Sequence, residues 1–228
     1  MSATARRTSL ETSVGRLSAA FDGPDDADAL VVLAHGAGAR LDGEFMSTVA
    51  EGLGRRSMLV CRFNFLYAEQ DRKGPDRGPI LEDTWRAVLE ALADVARDKS
   101  LILGGKSMGG RIASHVVADG ATADGLVFLG YPLHPPGKPG RLRDEHLARI
   151  PVPMLFVEGT RDPFCPLETL HAVLQRLEAD AEVAPIDGGD HSFKVRRSSG
   201  RTTQQAWREV TDAAAAWIEA RIERPRAS

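Results

Sequence analysis

Cysteine is nearly absent: Cys61 and Cys165 are the only two in 228 residues. One possible pair is no disulfide framework, so the composition points to a reducing compartment, the cytoplasm. An excess of one charge is absent too. The chain carries 29 Lys and Arg against 32 Asp and Glu, a formal net charge of −3, whereas a general nucleic-acid surface needs a basic surplus. No apolar run approaches the roughly 20 residues of a membrane span. The opening "MSATARRTSL" has two arginines with no apolar stretch behind them, unlike a secretory signal. Internal repeats and long linkers are missing as well. With 43% hydrophobic and 27% charged residues, the chain has a globular composition and is long enough for one sizeable core. Neither nucleic acid nor a membrane is expected as a partner, and the oligomeric state is open.

What is there is an alternation. Short apolar runs, "LVVLA" (30–34), "MLVCRF" (58–63), "LILGG" (101–105), "LVFLG" (126–130), "MLFVEG" (154–159) and the weaker "AEVAPI" (181–186), are apolar on both faces and end in glycine or turn residues. They suit strands of a buried parallel sheet. Between them lie helical stripes: Phe45, Val49 and Leu53; Trp85, Val88, Leu89, Leu92 and Val95; Leu167, Leu170, Leu174 and Leu177; and Trp207, Val210, Ala214, Trp217 and Ile218. Packing against a sheet explains that spacing, so the aromatic residues in the stripes belong to the core. Strand–helix alternation predicts an α/β fold with a doubly wound, mostly parallel sheet. One domain over 13–222 is expected, with flexible tails at 1–12 and 223–228. Ligand sites in such sheets lie beyond the carboxyl ends of the strands, so the residues after each run are the ones to read for chemistry.

The run "LIL" leads into "GGKSMGG" (104–110). A Gly-x-Ser-x-Gly match arises by chance roughly 0.1 times in a chain of this composition, so the pattern needs support from its position. Here it follows a strand and precedes the helical "RIASHVVADG". A serine on a tight strand-to-helix turn holds its hydroxyl above the sheet, and side chains two residues to either side would strike backbone. The Met108 N–H at the start of the helix would face a developing oxyanion. Other readings are a plain glycine turn, a phosphate loop or a dinucleotide fingerprint. The phosphate loop requires glycine where Ser100 stands, and the dinucleotide spacing is not met. No cofactor or metal is expected.

A serine hydroxyl needs a base, and the base an orienting acid. "MLFVEGTRDPFCP" places Asp162 past the fifth run, and "APIDGGDHSF" places His191 past the sixth. Glu158, Asp187 and Asp190 compete with Asp162, which is itself also readable as a turn residue before proline. His134 in "YPLHPP" competes with His191. His35 reads as part of a turn, His115 and His171 fall inside helical patterns, and His146 sits in a polar, helical stretch. The loop "HGAGA" after the first run offers a second oxyanion donor, Ala37 N–H, with Gly38 next to it. Asn64 and Tyr67 of "RFNFLY", and Tyr131, Leu133 and His134, are candidates for contact with substrate. For Asn64 and Tyr67, bracing of the oxyanion loop is the competing role.

The segments "AHGAGA", "RFNF", "GGKSMGGR", "GYPLHPPGKP", "EGTRDPF" and "GGDHSF" together resemble the α/β-hydrolase superfamily, most closely its dienelactone-hydrolase-like branch. Within that branch they are similar to a subgroup that includes a testis-expressed protein and a subunit of a nonspecific-lethal chromatin complex. The resemblance covers about residues 13–222. It implies Ser107 as nucleophile, Asp162 as acid, His191 as base, and oxyanion donors at Ala37 and Met108. Dienelactone hydrolases proper carry a cysteine where Ser107 stands. The activity implied is hydrolysis of a small carboxylic ester or thioester through an acyl-enzyme, with a small-molecule acyl substrate. The chromatin subunit points to the alternative, a non-catalytic interaction module on the same fold. The short, proline-rich stretch 131–152 predicts an open site without a large lid.

Overall fold

A computed structural model describes residues 5–222. Eight strands form one sheet: β1 (Arg6–Thr12), β2 (Gly15–Asp22), β3 (Ala29–Ala34), β4 (Leu59–Phe63), β5 (Ser100–Lys106), β6 (Gly125–Leu129), β7 (Met154–Gly159) and β8 (Ala181–Ile186). Seven α-helices interleave: α1 (Glu44–Gly54), α2 (Leu66–Glu69), α3 (Gly78–Ala91), α4 (Ala93–Ala96), α5 (Met108–Ala118), α6 (Leu167–Arg176) and α7 (Thr203–Ile222). The strand order is β1-β2-β4-β3-β5-β6-β7-β8. β1–β2 and β2–β4 are antiparallel and every other pairing is parallel.

The six apolar runs are the six parallel strands. β3 shows why they are apolar throughout. Leu30, Val32 and Ala34 join the core on one face, with α3, α5 and α6, while Ala29, Val31 and Leu33 join the core on the other, with α1 and α7. β8 is weaker because it is the edge, with only Ile186 fully buried, and an edge strand tolerates Pro185.

One expectation is corrected. Residues 6–12, read as tail, are β1, an edge strand paired along its full length with β2. Its sequence RRTSLET leaves most of its side chains exposed. Such a strand adheres through backbone hydrogen bonds and gives no apolar run. Residues 1–4 and 223–228 of the expected tails lie outside the described residues.

Register sets the site. Ala34 pairs with Gly105 and Lys106 with Leu129, so the loops after β3, β5 and β6 emerge side by side. The β6–β7 connection holds only a 3-10 turn at Leu147–Arg149, and no lid-like domain covers this end among the described residues. No helix among them is long and apolar enough to cross a membrane.

Candidate active site

Ser107 joins β5 directly to α5 with φ +50° and ψ −113°, a conformation that costs a non-glycine residue energy and persists only where the surroundings impose it. The surroundings are glycines. A Cβ at Gly105 would lie 2.1 Å from the Ala34 carbonyl oxygen, and one at Gly109 would lie 2.3 Å from the same atom. Removing both side chains lets α5 start against the end of β3. Trp85 Nε1–H donates to Gly109 O at 3.3 Å and holds the turn from the helical side. The helix begins at Met108, one turn earlier than the stretch "RIASHVVADG" that marked it in the sequence.

His191 and Asp162 converge on this serine. Ser107 Oγ lies 2.9 Å from His191 Nε2, and His191 Nδ1 lies 2.6 Å from Asp162 Oδ2. The Phe164 N–H donates to Asp162 Oδ1 at 2.7 Å. A carboxylate only accepts, so the network assigns the imidazole proton to Nδ1 and leaves Nε2 to accept from the serine. Asp162 is fully buried, while His191 keeps 21% of its side chain exposed. Phe164, which the sequence did not single out, sets its ring edge-on to the imidazole at 4.7 Å.

The competing groups have other employment. Glu158 is buried and accepts from the Tyr131 N–H. Burial, then the charge of Asp162, holds its carboxyl well above the usual carboxylate range. Asp190 accepts from the Ser192 and Lys194 N–H groups and shapes the His191 loop, and Asp187 is exposed. His134 turns Nδ1 to its neighbour's carbonyl, Pro135 O. His35 is buried between Gly36 O and the Phe65 N–H, and burial lowers its pKa, so it stays neutral. Lys106, beside the serine, buries Nζ with no hydrogen-bond partner among the described residues, 5.6 Å from the Phe193 ring centroid. Desolvation pushes its pKa down to about 8, opposed by Glu158, Asp162 and Asp190.

The loop after β3 turns at Ala37–Gly38, with Ala39 N–H donating to Gly36 O at 3.2 Å and Gly38 at φ +71°. The Gly38 N–H is taken by Tyr67 Oη at 3.2 Å, which leaves Ala37 as the donor on offer. Tyr67 is therefore a brace, and so is Asn64, whose Oδ1 accepts from the Leu41 N–H at 2.8 Å. Neither lines the two clefts that meet at Ser107 and His191, nor does Gly38. The expectation that Tyr131 and Leu133 face substrate is likewise corrected. Both are fully buried, and the Tyr131 hydroxyl donates to Arg143 O at 3.0 Å. After Gly130 the chain turns with positive φ and returns these side chains to the core.

Two clefts meet at Ser107 and His191. One, of about 210 Å³, is bounded by Met108, Arg111, His134, Arg143 and Phe164 with prolines 75, 132 and 136. The other, of about 350 Å³, is bounded by Ala37, Phe45, Met46, Lys106 and Trp207. Of the expected substrate contacts, only His134 lines either. Arg111 was missed because it falls on a helical pattern that packing already explains.

An open-ended, mostly parallel eight-stranded sheet with a serine at the turn after its central strand defines the α/β-hydrolase fold. The model of the alpha/beta hydrolase domain family matches residues 27–219, and the chain belongs to that family. Its fold is shared by an alpha-beta serine hydrolase homologue from Coxiella burnetii, 18% identical, TM-score 0.75, over 93% of this chain and 97% of that one. A serine hydrolase without a lid from Xanthomonas campestris is 19% identical, TM-score 0.72, over 93% and 94%. A dienelactone hydrolase from Anabaena variabilis is 18% identical, TM-score 0.78, over 96% and 99%.

Proposed function

We propose that this protein is a serine hydrolase that cleaves a small carboxylic ester or thioester through an acyl-enzyme. The observation that carries the reading is the unbroken chain Ser107 Oγ–His191 Nε2, 2.9 Å, and His191 Nδ1–Asp162 Oδ2, 2.6 Å, beside two backbone N–H groups. In this mechanism Ser107 attacks the carbonyl carbon as His191 takes the hydroxyl proton, and the Ala37 and Met108 N–H groups receive the charge that develops on the carbonyl oxygen. The imidazolium, held by Asp162, protonates the departing alcohol or thiol. His191 then takes a proton from water, which attacks the acyl-serine and releases the acid. Placement of the chain in the dienelactone-hydrolase-like branch, and in the subgroup named above, rests on the sequence motifs and belongs to this proposal, as does a cytoplasmic location.

Labelling with a fluorophosphonate probe tests it. Wild type should label, and Ser107→Ala and His191→Ala should not. Turnover of a chromogenic acyl ester should fall about 10⁴- to 10⁶-fold in both variants. A folded wild type that does not label would leave the non-catalytic module as the better reading, and labelling that survives Ser107→Ala would move the nucleophile elsewhere.

A further inference from the structure

We propose that the cleft bounded by Arg111 and Arg143 binds a carboxylate, so that the substrate is a small ester or thioester carrying a negatively charged group. The ester half of this statement rests on the hydrolase reading, and the carboxylate half does not.

Where an arginine is withdrawn from solvent here, a carboxylate meets it: Asp22 at Arg62, Glu209 at Arg201 and Glu182 at Arg221. Arg111 and Arg143 are also partly buried, yet neither has a carboxylate partner among the described residues. Arg111 Nε is buried without a hydrogen-bond partner, and its Nη1 meets only His115 Nε2 at 3.1 Å. The Arg143 guanidinium has no hydrogen bond among the described residues. A buried, unsatisfied charged donor costs more than a neutral one, so Arg111 Nε calls for a compensating group, and the half-buried Arg143 guanidinium adds a second positive charge to the same cleft.

Nearby acids do not supply it. Asp144 is bound to Arg176. Glu82 approaches His115 at 3.7 Å and Arg86 at 4.0 Å. Asp119 pairs with Arg149 at 3.2 Å. Burial depresses the pKa of both arginines, opposed at Arg111 by Tyr131 and Glu82, and Arg111 lowers that of Arg143 further. An anion between them would relieve both effects.

Position ties this charge to the chemistry. Arg111 stands one helical turn past the nucleophile, its N–H donating to Ser107 O at 3.1 Å. Arg111, Arg143, Ser107 and His191 line one cleft. His134, on the same wall, leaves Nε2 buried and unpartnered, a further polar position for the ligand. The guanidinium fork fits a carboxylate with two parallel hydrogen bonds. The volume of about 210 Å³ equals about seven water-sized volumes, room for a short chain ending in a carboxylate.

The test separates binding from turnover. Calorimetry on Ser107→Ala protein compares monomethyl glutarate with the neutral dimethyl glutarate. The monoester should bind at least tenfold more tightly, and Arg143→Gln or Arg111→Gln added to Ser107→Ala should each cut that preference about tenfold. Arg143→Lys should keep part of it, having the charge without the fork. With Ser107 present, p-nitrophenyl hemiglutarate should be turned over with a higher kcat/KM than p-nitrophenyl pentanoate, and the ratio should fall in the same arginine variants whatever happens to the absolute rates. Equal affinity for the two methyl esters, no binding of the monoester at millimolar concentration, or a preference unchanged in folded Arg143→Gln would each overturn the proposal. Tight monoester binding by a wild type that a fluorophosphonate does not label would leave the carboxylate cleft standing and remove the hydrolase reading. Labelling with no preference for the monoester would do the reverse.

Discussion

Replacing Asp162 with asparagine should cost far more activity than the change of one atom suggests, and the hydrogen bonds say why. Asp162 Oδ1 receives the Phe164 N–H at 2.7 Å and Oδ2 faces His191 Nδ1 at 2.6 Å. Asparagine has one acceptor oxygen where aspartate has two. If that oxygen faces His191, the amide nitrogen meets the Phe164 N–H, donor against donor, in a fully buried place. Leaving such a donor unmet costs about 1–3 kcal/mol. The oxygen therefore stays on Phe164, and the amide N–H points at Nδ1. Nδ1 must then accept, the imidazole proton moves to Nε2, and Nε2 donates to Ser107 Oγ and no longer accepts from it. The productive tautomer is penalised by about 5- to 160-fold, and the carboxylate that steadies the imidazolium is lost as well. Together these should lower kcat on a chromogenic ester by about 10³–10⁴, in line with the same change in serine proteases. The side chain is isosteric, so the thermal midpoint should move by only a few degrees. Imidazole ¹⁵N shifts give a readout independent of rate, with Nδ1–H in wild type and Nε2–H in Asp162→Asn. A variant within tenfold of wild type that keeps Nδ1–H would refute the reasoning.

Gly109→Ala would set a Cβ 2.3 Å from Ala34 O and 2.7 Å from His35 O, and backbone on both sides cannot yield. Chemical denaturation should show a loss of about 3 kcal/mol or more, against about 0.5 kcal/mol or less for Gly74→Ala, where nothing lies within 4 Å. His115 and His146 stack at 3.9 Å, and burial, aided by nearby arginines, pushes their pKa values down to about 4 and about 3. The unfolded chain takes up these protons below about pH 6.5 and the native one only near 4 at His115 and 3 at His146, so stability is full above 6.5 and is lost as pH falls through 4 toward 3. His115→Phe should flatten the fall in urea midpoint between pH 6.5 and 5, and parallel curves for wild type and variant would contradict this.

The parallel strands could be read from the sequence because burial on both faces leaves no room for polar residues. β1 and β2 could not, since an antiparallel edge lets polar residues alternate outward. The serine turn was legible through sterics: the two glycines that define the pattern are the two whose Cβ atoms would strike Ala34 O. The places of Asp162 and His191 followed from chain order at strand ends. Side-chain direction after a strand was not legible. Tyr131 and His134 are three residues apart on one loop, and one fills the core while the other lines a cleft, because the turn at Gly130 decides which way each points. Arg111 escaped notice for a related reason. A helical stripe accounts for the apolar residues of α5 and says nothing about a polar residue at its rim.

The segment "RFNFLY" shows what an uncovered site requires. An oxyanion hole is effective when its N–H groups are aimed before the reaction begins, and without a lid-like domain no closing element can aim them. For the donor proposed at Ala37, the residues at the end of β4 do so from behind. Arg62, 3% exposed and paired with Asp22 at 2.8 Å, donates to Leu41 O at 2.6 Å and to Ser47 Oγ at 2.8 Å. Asn64 holds the Leu41 N–H, the Phe65 N–H holds His35 Nε2, and Tyr67 Oη lies between the Gly38 N–H at 3.2 Å and Gly36 O at 3.4 Å. Arg62 and Asn64 both fasten Leu41, the Phe65 N–H fastens His35 and Tyr67 fastens the turn at Gly36–Gly38, so loop 35–41 is held at both ends and at its turn. A buried arginine paired with one acid is weak evidence of stability in itself. Its bonds to Leu41 and Ser47 are better understood as fixing the loop's exit while Tyr67 fixes its turn. The Ala37 N–H, the proposed oxyanion donor, is thereby held between two anchored points, rigid from the interior, with the cleft beside it left open.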